Sequence, residues 1–200
     1  MRKEDDAAPK GQETGISRRH LAALPLGAAA LAAMAGSAPA RETLEGPSLA
    51  ERAAIEDLFT SYVWSYDCSD VALFLSLFVE DDPLVVGMGK PHRGRKAMAD
   101  WFAYLLDIRE RENGLWLHQA AHHHYRRHGA NWLVYSYATH FAYDLGAKGY
   151  AVRSLGYFVS ELVRAGQGFR FRRFSIAHWD KTALPWSKPL PWAEADDLKS

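Results

Sequence analysis

The 200-residue sequence predicts an α+β fold, with three N-terminal helices packed on a curved, mostly antiparallel sheet that encloses a pocket. Two observations predict it. As far as Gly114, apolar residues recur mainly at three- and four-residue steps, the period of a helix that buries one face. Beyond Gly114 the pattern changes to four segments rich in aromatic and β-branched residues, parted by glycine or charged turns, as long strands are. Helices followed by strands place the helices together on one face of the sheet, and a strongly curved sheet leaves a concave space beneath them.

The chain opens with a polar, charged stretch, and then ISRRHLAALPLGAAALAAMAGSAPA runs from residue 16 to 40. Paired Arg18 and Arg19, an Ala/Leu segment too short to span a membrane, and a small-x-small end at Ala38-Pro39-Ala40 make the layout of an export signal. The arginine pair resembles a twin-arginine leader. Residues 1–40 are therefore expected to be a signal peptide, 41–182 the folded domain and 183–200 a tail. The mature protein is expected outside the cytoplasm, periplasmic or extracellular, with no stable membrane span after cleavage.

Ala53, Ile55, Leu58, Phe59, Tyr62, Val63 and Tyr66 form one stripe and predict a first helix from Leu49 to about Tyr66–Asp70. Asp70 then stands as the N-cap of a short second helix over 71–79, closed by Asp81-Asp82-Pro83 because proline disfavours helix in the residue before it. PLVVGMG reads as a buried strand and turn. Met98, Trp101, Phe102, Leu105 and Leu106 define a third helix that stops near Gly114. Four strands follow, over 115–127, 131–145, 150–165 and 169–180. The tail repeats Leu-Pro-Trp; proline prevents it from extending the sheet, and Trp186 and Trp192 are expected to dock on the domain surface.

Composition narrows the partners. Twenty-four basic residues balance 24 acidic ones, so overall charge provides no reason to expect nucleic acid or an anionic membrane. The single cysteine, Cys68, forms no internal disulfide and no thiolate metal knot. Histidine is the unusual element: five of the nine fall within HQAAHHHYRRH, residues 118–128.

Three strings resemble the SnoaL-like branch of the nuclear transport factor 2-like superfamily, specifically members similar to scytalone dehydratase. In SYDCSDVALFL, Tyr66, Asp67 and Asp70 stand where those dehydratases carry a Tyr-Asp pair and a further aspartate before the second helix. In LHQAAHHHYRRHG, His118 matches a strand histidine and Gly129 the turn after it. RSLGYFVSELVRAGQGFRF is similar to the strand and turn before the last family strand. The resemblance covers roughly residues 49–179 and implies a cone-shaped roll around a pocket.

It also implies a chemistry. His118 would act as general base or acid, Asp67 would orient it, and Tyr66 would be a pocket hydroxyl able to polarise a carbonyl. An imidazole can take and return a proton near neutrality, and a buried carboxylate holds its tautomer. Ser154 matches a substrate-holding serine, whereas the family asparagine nearby is absent from Ser154-Leu155-Gly156. His140 is the nearest counterpart of a second pocket histidine. Trp64, Trp101, Phe141, Tyr143 and Tyr157 are further candidates for the pocket wall. Family members commonly pair through the sheet, so a homodimer is expected.

Strand alternation assigns the rest of the cluster: with His118 inward, His122 and His124 also face the pocket, His123 faces the helices or a partner subunit, and His128 lies at the surface turn. A metal site on His118, His122 and His124 together is disfavoured, because these positions spread over about 20 Å at about 3.3 Å per residue. His122 and His124 could share an ion, with His140 or a carboxylate from elsewhere completing the set. The sequence thus predicts a lyase or isomerase without cofactor or metal, acting by proton abstraction on a small, largely apolar cyclic or polyketide-like substrate. The alternatives are a small-ligand-binding or dimerisation module and a histidine-ligated metal enzyme.

Overall fold

The computed structural model describes residues 46–87, 89–112 and 114–197; the leader expected over 1–40 lies outside them. Helix α1 (Leu49–Asp67) starts at a capping box in which Ser48 Oγ accepts from Glu51 N while Glu51 Oε2 accepts from Ser48 N, so two orphan donors of the first turn are satisfied. It buries Ile55, Leu58, Phe59, Tyr62 and Tyr66. Helix α2 (Val71–Ser76) is capped by Asp70, which accepts from Leu73 N at 2.8 Å. It ends three residues earlier than the apolar run suggests, because the backbone of Leu77 and Val79 turns to bond Phe171 in the sheet.

Strands β1 (Leu84–Gly87) and β2 (Lys90–Arg93) precede helix α3 (Gly94–Arg111), and β3 (Trp116–His128), β4 (Asn131–Asp144), β5 (Gly149–Ala165) and β6 (Gly168–His178) follow. The sheet order is β2-β1-β6-β5-β4-β3, antiparallel except where β1 runs parallel to β6. Six strands therefore form, one more than expected. Lys-Pro-His-Arg carries no alternation, and its proline fits because β2 is an edge.

The helices cover one face of the curved sheet, where Phe59, Phe74, Phe78, Phe171 and Phe174 interlock at ring distances of 4.5–6.3 Å with Tyr62 and one another. The opposite face is partly covered by the chain itself. Trp192, 2% exposed, joins a second cluster with Leu84, Val86, Leu133, Tyr135, Tyr157 and Val159. Helix α4 (Ala193–Asp197) holds the tail there, through Asp196 bonded to both Arg93 and Arg173. No helix among the described residues is long and apolar enough to cross a membrane.

Candidate active site

Asp67 is the last residue of α1, and β3 passes alongside it as the outermost strand on that side. The carboxylate grips His118 twice: Oδ1 lies 2.6 Å from the ring Nδ1, and Oδ2 accepts from the His118 backbone N at 3.0 Å. An ionised carboxylate only accepts, so Nδ1 is the ring atom that donates in this pair, and Nε2 is the ring nitrogen left for a ligand. Both side chains are largely buried, at 16% and 10% exposure, so water competes little for the pair. The Tyr66 ring meets His118 edge-on at 4.4 Å. Burial pushes the Tyr66 phenol well above its ordinary range, with Arg109 pulling it back, so the group is a donor and not a base at neutral pH.

His140 is the direct cross-strand partner of His118, and the two rings stack in parallel at 4.7 Å. Burial first, then the charges of His118 and Arg153, push its pKa down to about 4, with Asp67 opposing. The ring is therefore neutral near pH 7, and its buried Nε2 has no hydrogen-bond partner among the described residues. An unpaired buried nitrogen in a cavity wall is a position that a ligand oxygen or hydroxyl would satisfy.

His118, His140, Tyr66 and Ser154 line one cavity of about 260 Å³. Its walls are otherwise mainly apolar: Trp101, Leu105 and Ile108 from α3, Trp116 from β3, Phe158 from β5 and Ile176 from β6. Ala138 and Gly156 keep its floor thin, and a Cβ at Gly156 would sit 2.3 Å from the Ala177 carbonyl oxygen. Trp101 packs over Gly87, where a Cβ would fall 2.4 Å from the indole. Leu155 and His178, both exposed, also border the cavity.

Several expected pocket residues lie elsewhere, and for His122 and His124 one inserted residue is the reason. A β-bulge between Ala121 and His124 inserts an extra residue, and His122 adopts φ +54°. Alternation reverses at that point. His122 and His124 consequently lie on the outer face, against Tyr137 and stacked on Trp186 at 3.9 Å, and not in the pocket. His123 turns in on the side of His118, its Nδ1 2.6 Å from Ser136 Oγ and its ring stacked on Phe59 at 4.6 Å. The sheet thus separates His122 and His124 from His140, and among the described residues no three His, Cys, Asp or Glu side chains are grouped to hold a metal ion.

Tyr157 also faces outward, packed in the cluster beneath the tail. Trp64 is 62% exposed on α1 and lines a separate depression that His118 also borders, not the cavity above. Phe141 is outside the cavity wall and Tyr143 packs edge-on against Tyr150. His128 lies half-exposed near Glu161, as a turn residue does. Conversely, Tyr62, Thr139 and His178 belong to the wall without having been singled out. Tyr62 was legible in principle, being one helical turn before Tyr66 on the same stripe.

A helix-covered, curved sheet with a polar cluster in an apolar cavity is the architecture of the nuclear transport factor 2-like class. A family model described as SnoaL-like domain matches residues 47–175, and the chain belongs to that family. ActVI-ORFA from Streptomyces coelicolor aligns with TM-score 0.58 and 14% identity, over 67% of this chain and 97% of that one. A nuclear transport factor 2-like protein with a cystatin-like fold from Novosphingobium aromaticivorans aligns at 0.56 with 20% identity, over 66% and 84%. A Catenulispora acidiphila protein in complex with S-DNPA aligns at 0.55 with 16% identity, over 66% and 95%. At these identities the likeness concerns the fold. No curated protein matches the chain.

Proposed function

We propose that this SnoaL-like domain is a lyase or isomerase that removes a proton next to a carbonyl in a small, largely apolar cyclic or polyketide-like molecule, without a cofactor. The observation that carries this is the His118–Asp67 pair, joined at 2.6 Å and opening into an apolar cavity. Nε2 of His118 takes the proton while Asp67 holds the ring and stabilises the imidazolium that forms. Tyr66 O–H and the neutral His140 offer hydrogen bonds to the oxygen on which negative charge develops, and Ser154 supplies a further polar contact. In a dehydration the imidazolium returns its proton to the departing hydroxyl; in an isomerisation it returns it to carbon.

A bicyclic ketone such as 2-tetralone in deuterium oxide provides the test. The protein should speed α-deuterium uptake, and His118→Ala and Asp67→Asn should each remove at least about 100-fold of that acceleration, the lower end of what a positioned acid–base group contributes. Undiminished uptake in His118→Ala would refute the assignment.

A second reading, a non-catalytic carrier of a small molecule, draws on the Catenulispora relative solved with S-DNPA. It expects tight binding of such probes, no exchange, and unchanged affinity in His118→Ala. We propose also that residues 1–40 direct export, which N-terminal sequencing of protein recovered from outside the cytoplasm would test. Pairing into a homodimer would use the outer sheet left uncovered around Leu117, Tyr137 and Leu155, each about half or more exposed; a monomer mass by light scattering would count against it.

A further inference from the structure

Resting on the dyad reading above, we infer that Arg109 is the positioning residue that aims Asp67 at His118. Helix α1 ends with Asp67, and the turn after it closes the helix: the Trp64, Ser65 and Tyr66 carbonyls accept from Cys68 N, Asp70 N and Ser69 N. The chain then takes a tight turn through Cys68 and Ser69, and Ser69 sits at φ +61°, a conformation that a non-glycine residue holds only when its surroundings enforce it. The Asp67 carboxylate stands on this turn, so its aim at His118 depends on how the turn is held.

Arg109 clamps the turn from outside. It lies on α3, more than 40 residues further along the chain, and is only 6% exposed. Its guanidinium donates to the Tyr66 carbonyl at 3.0 Å, to the Asp67 carbonyl at 3.2 Å and to the Ser69 hydroxyl. One rigid fork therefore fixes the peptide on both sides of the Asp67 side chain, together with the strained residue beyond. Its positive charge also sits at the negative end of the α1 dipole.

Arg109 is itself held. Gly114 N donates to the Arg109 carbonyl at 2.8 Å, and a Cβ at position 114 would lie 2.3 Å from Arg109 Cγ, so the return of the chain toward β3 is packed against this side chain. Leu105 and Ile108 of the same helix line the cavity, so one segment both shapes the wall and anchors the dyad. Arg109 touches no reacting atom; it acts through Asp67.

Histidine-labelled protein, read by long-range proton–nitrogen NMR without any substrate, tests this. His118→Ala identifies the His118 signals, and Asp67→Asn shows their appearance once the pair is broken. In the wild type His118 should be the Nδ1–H tautomer with a hydrogen-bonded proton shifted downfield. In Arg109→Gln that proton signal should be lost and both tautomers populated, as in Asp67→Asn, while near-ultraviolet circular dichroism remains native.

Wild-type His118 signals in folded Arg109→Gln would overturn the inference and leave the dyad standing. Unchanged His118 signals in Asp67→Asn would overturn both. Should Arg109→Gln fail to fold, Arg109→Lys keeps the charge but loses the fork; altered His118 signals there support the inference and unaltered ones overturn it.

Discussion

Acid should destabilise this protein through His140, by an amount that can be worked out. In the folded chain its pKa is pushed down to about 4, because the ring is buried between Trp116 and His118, whereas the free side chain titrates at 6.5. Between these values the unfolded chain binds a proton that the folded chain refuses, so stability falls as pH drops through that window and is fully retained above it. At about 1.4 kcal/mol per unit, the gap from 6.5 to about 4 corresponds to roughly 3 kcal/mol. Urea unfolding of the wild type and His140→Gln at pH 7.5, 6, 5 and 4.5 isolates this share, since glutamine does not titrate. The two stability curves should converge on acidification, the wild type losing roughly 2.5 kcal/mol more than the variant by pH 4.5, most of the full gap. Parallel curves would refute the reasoning, because they would mean that His140 binds its proton equally in both states.

Three further outcomes follow from packing. Gly156→Ala drives a methyl to 2.3 Å from the Ala177 carbonyl oxygen and should cost about 1–3 kcal/mol by overpacking; an unchanged melting temperature would mean that β5 and β6 part freely there. Trp192→Ala empties the most buried contact of the tail and should cost about 3–5 kcal/mol, with limited proteolysis then cutting within 183–197. At the bulge, His122→Gly should be at least about 1 kcal/mol more stable than His122→Val, because a branched residue is badly strained at positive φ; equal denaturation midpoints would show that the strand has slipped its register.

Family resemblance and local spacing were enough to bring Asp67 and His118 together. Asp67 closes a helix whose stripe is explicit in the sequence, and His118 lies near the start of a strand recognisable by composition. His140 was less legible. Its position opposite His118 depends on how far β4 slides along β3, and that register is set by the hairpin and by contacts on both faces. The histidine run was legible as a strand but not as a surface. One inserted residue at His122 exchanges inside for outside along the rest of β3, and nothing local distinguishes His122-His123-His124 from a regular strand.

The sequence by itself determined the α+β class, the helix cap at Asp70 and the apolar stripe of α1, because these depend on interactions between residues a few positions apart. Only the tertiary structure decided the six-strand order, with β1 parallel to β6, the bulge that turns His123 inward and the clamp of Arg109 on the end of α1. Each of these joins residues far apart in the chain, and each is stabilised by contacts that exist only once the helices and the sheet have packed.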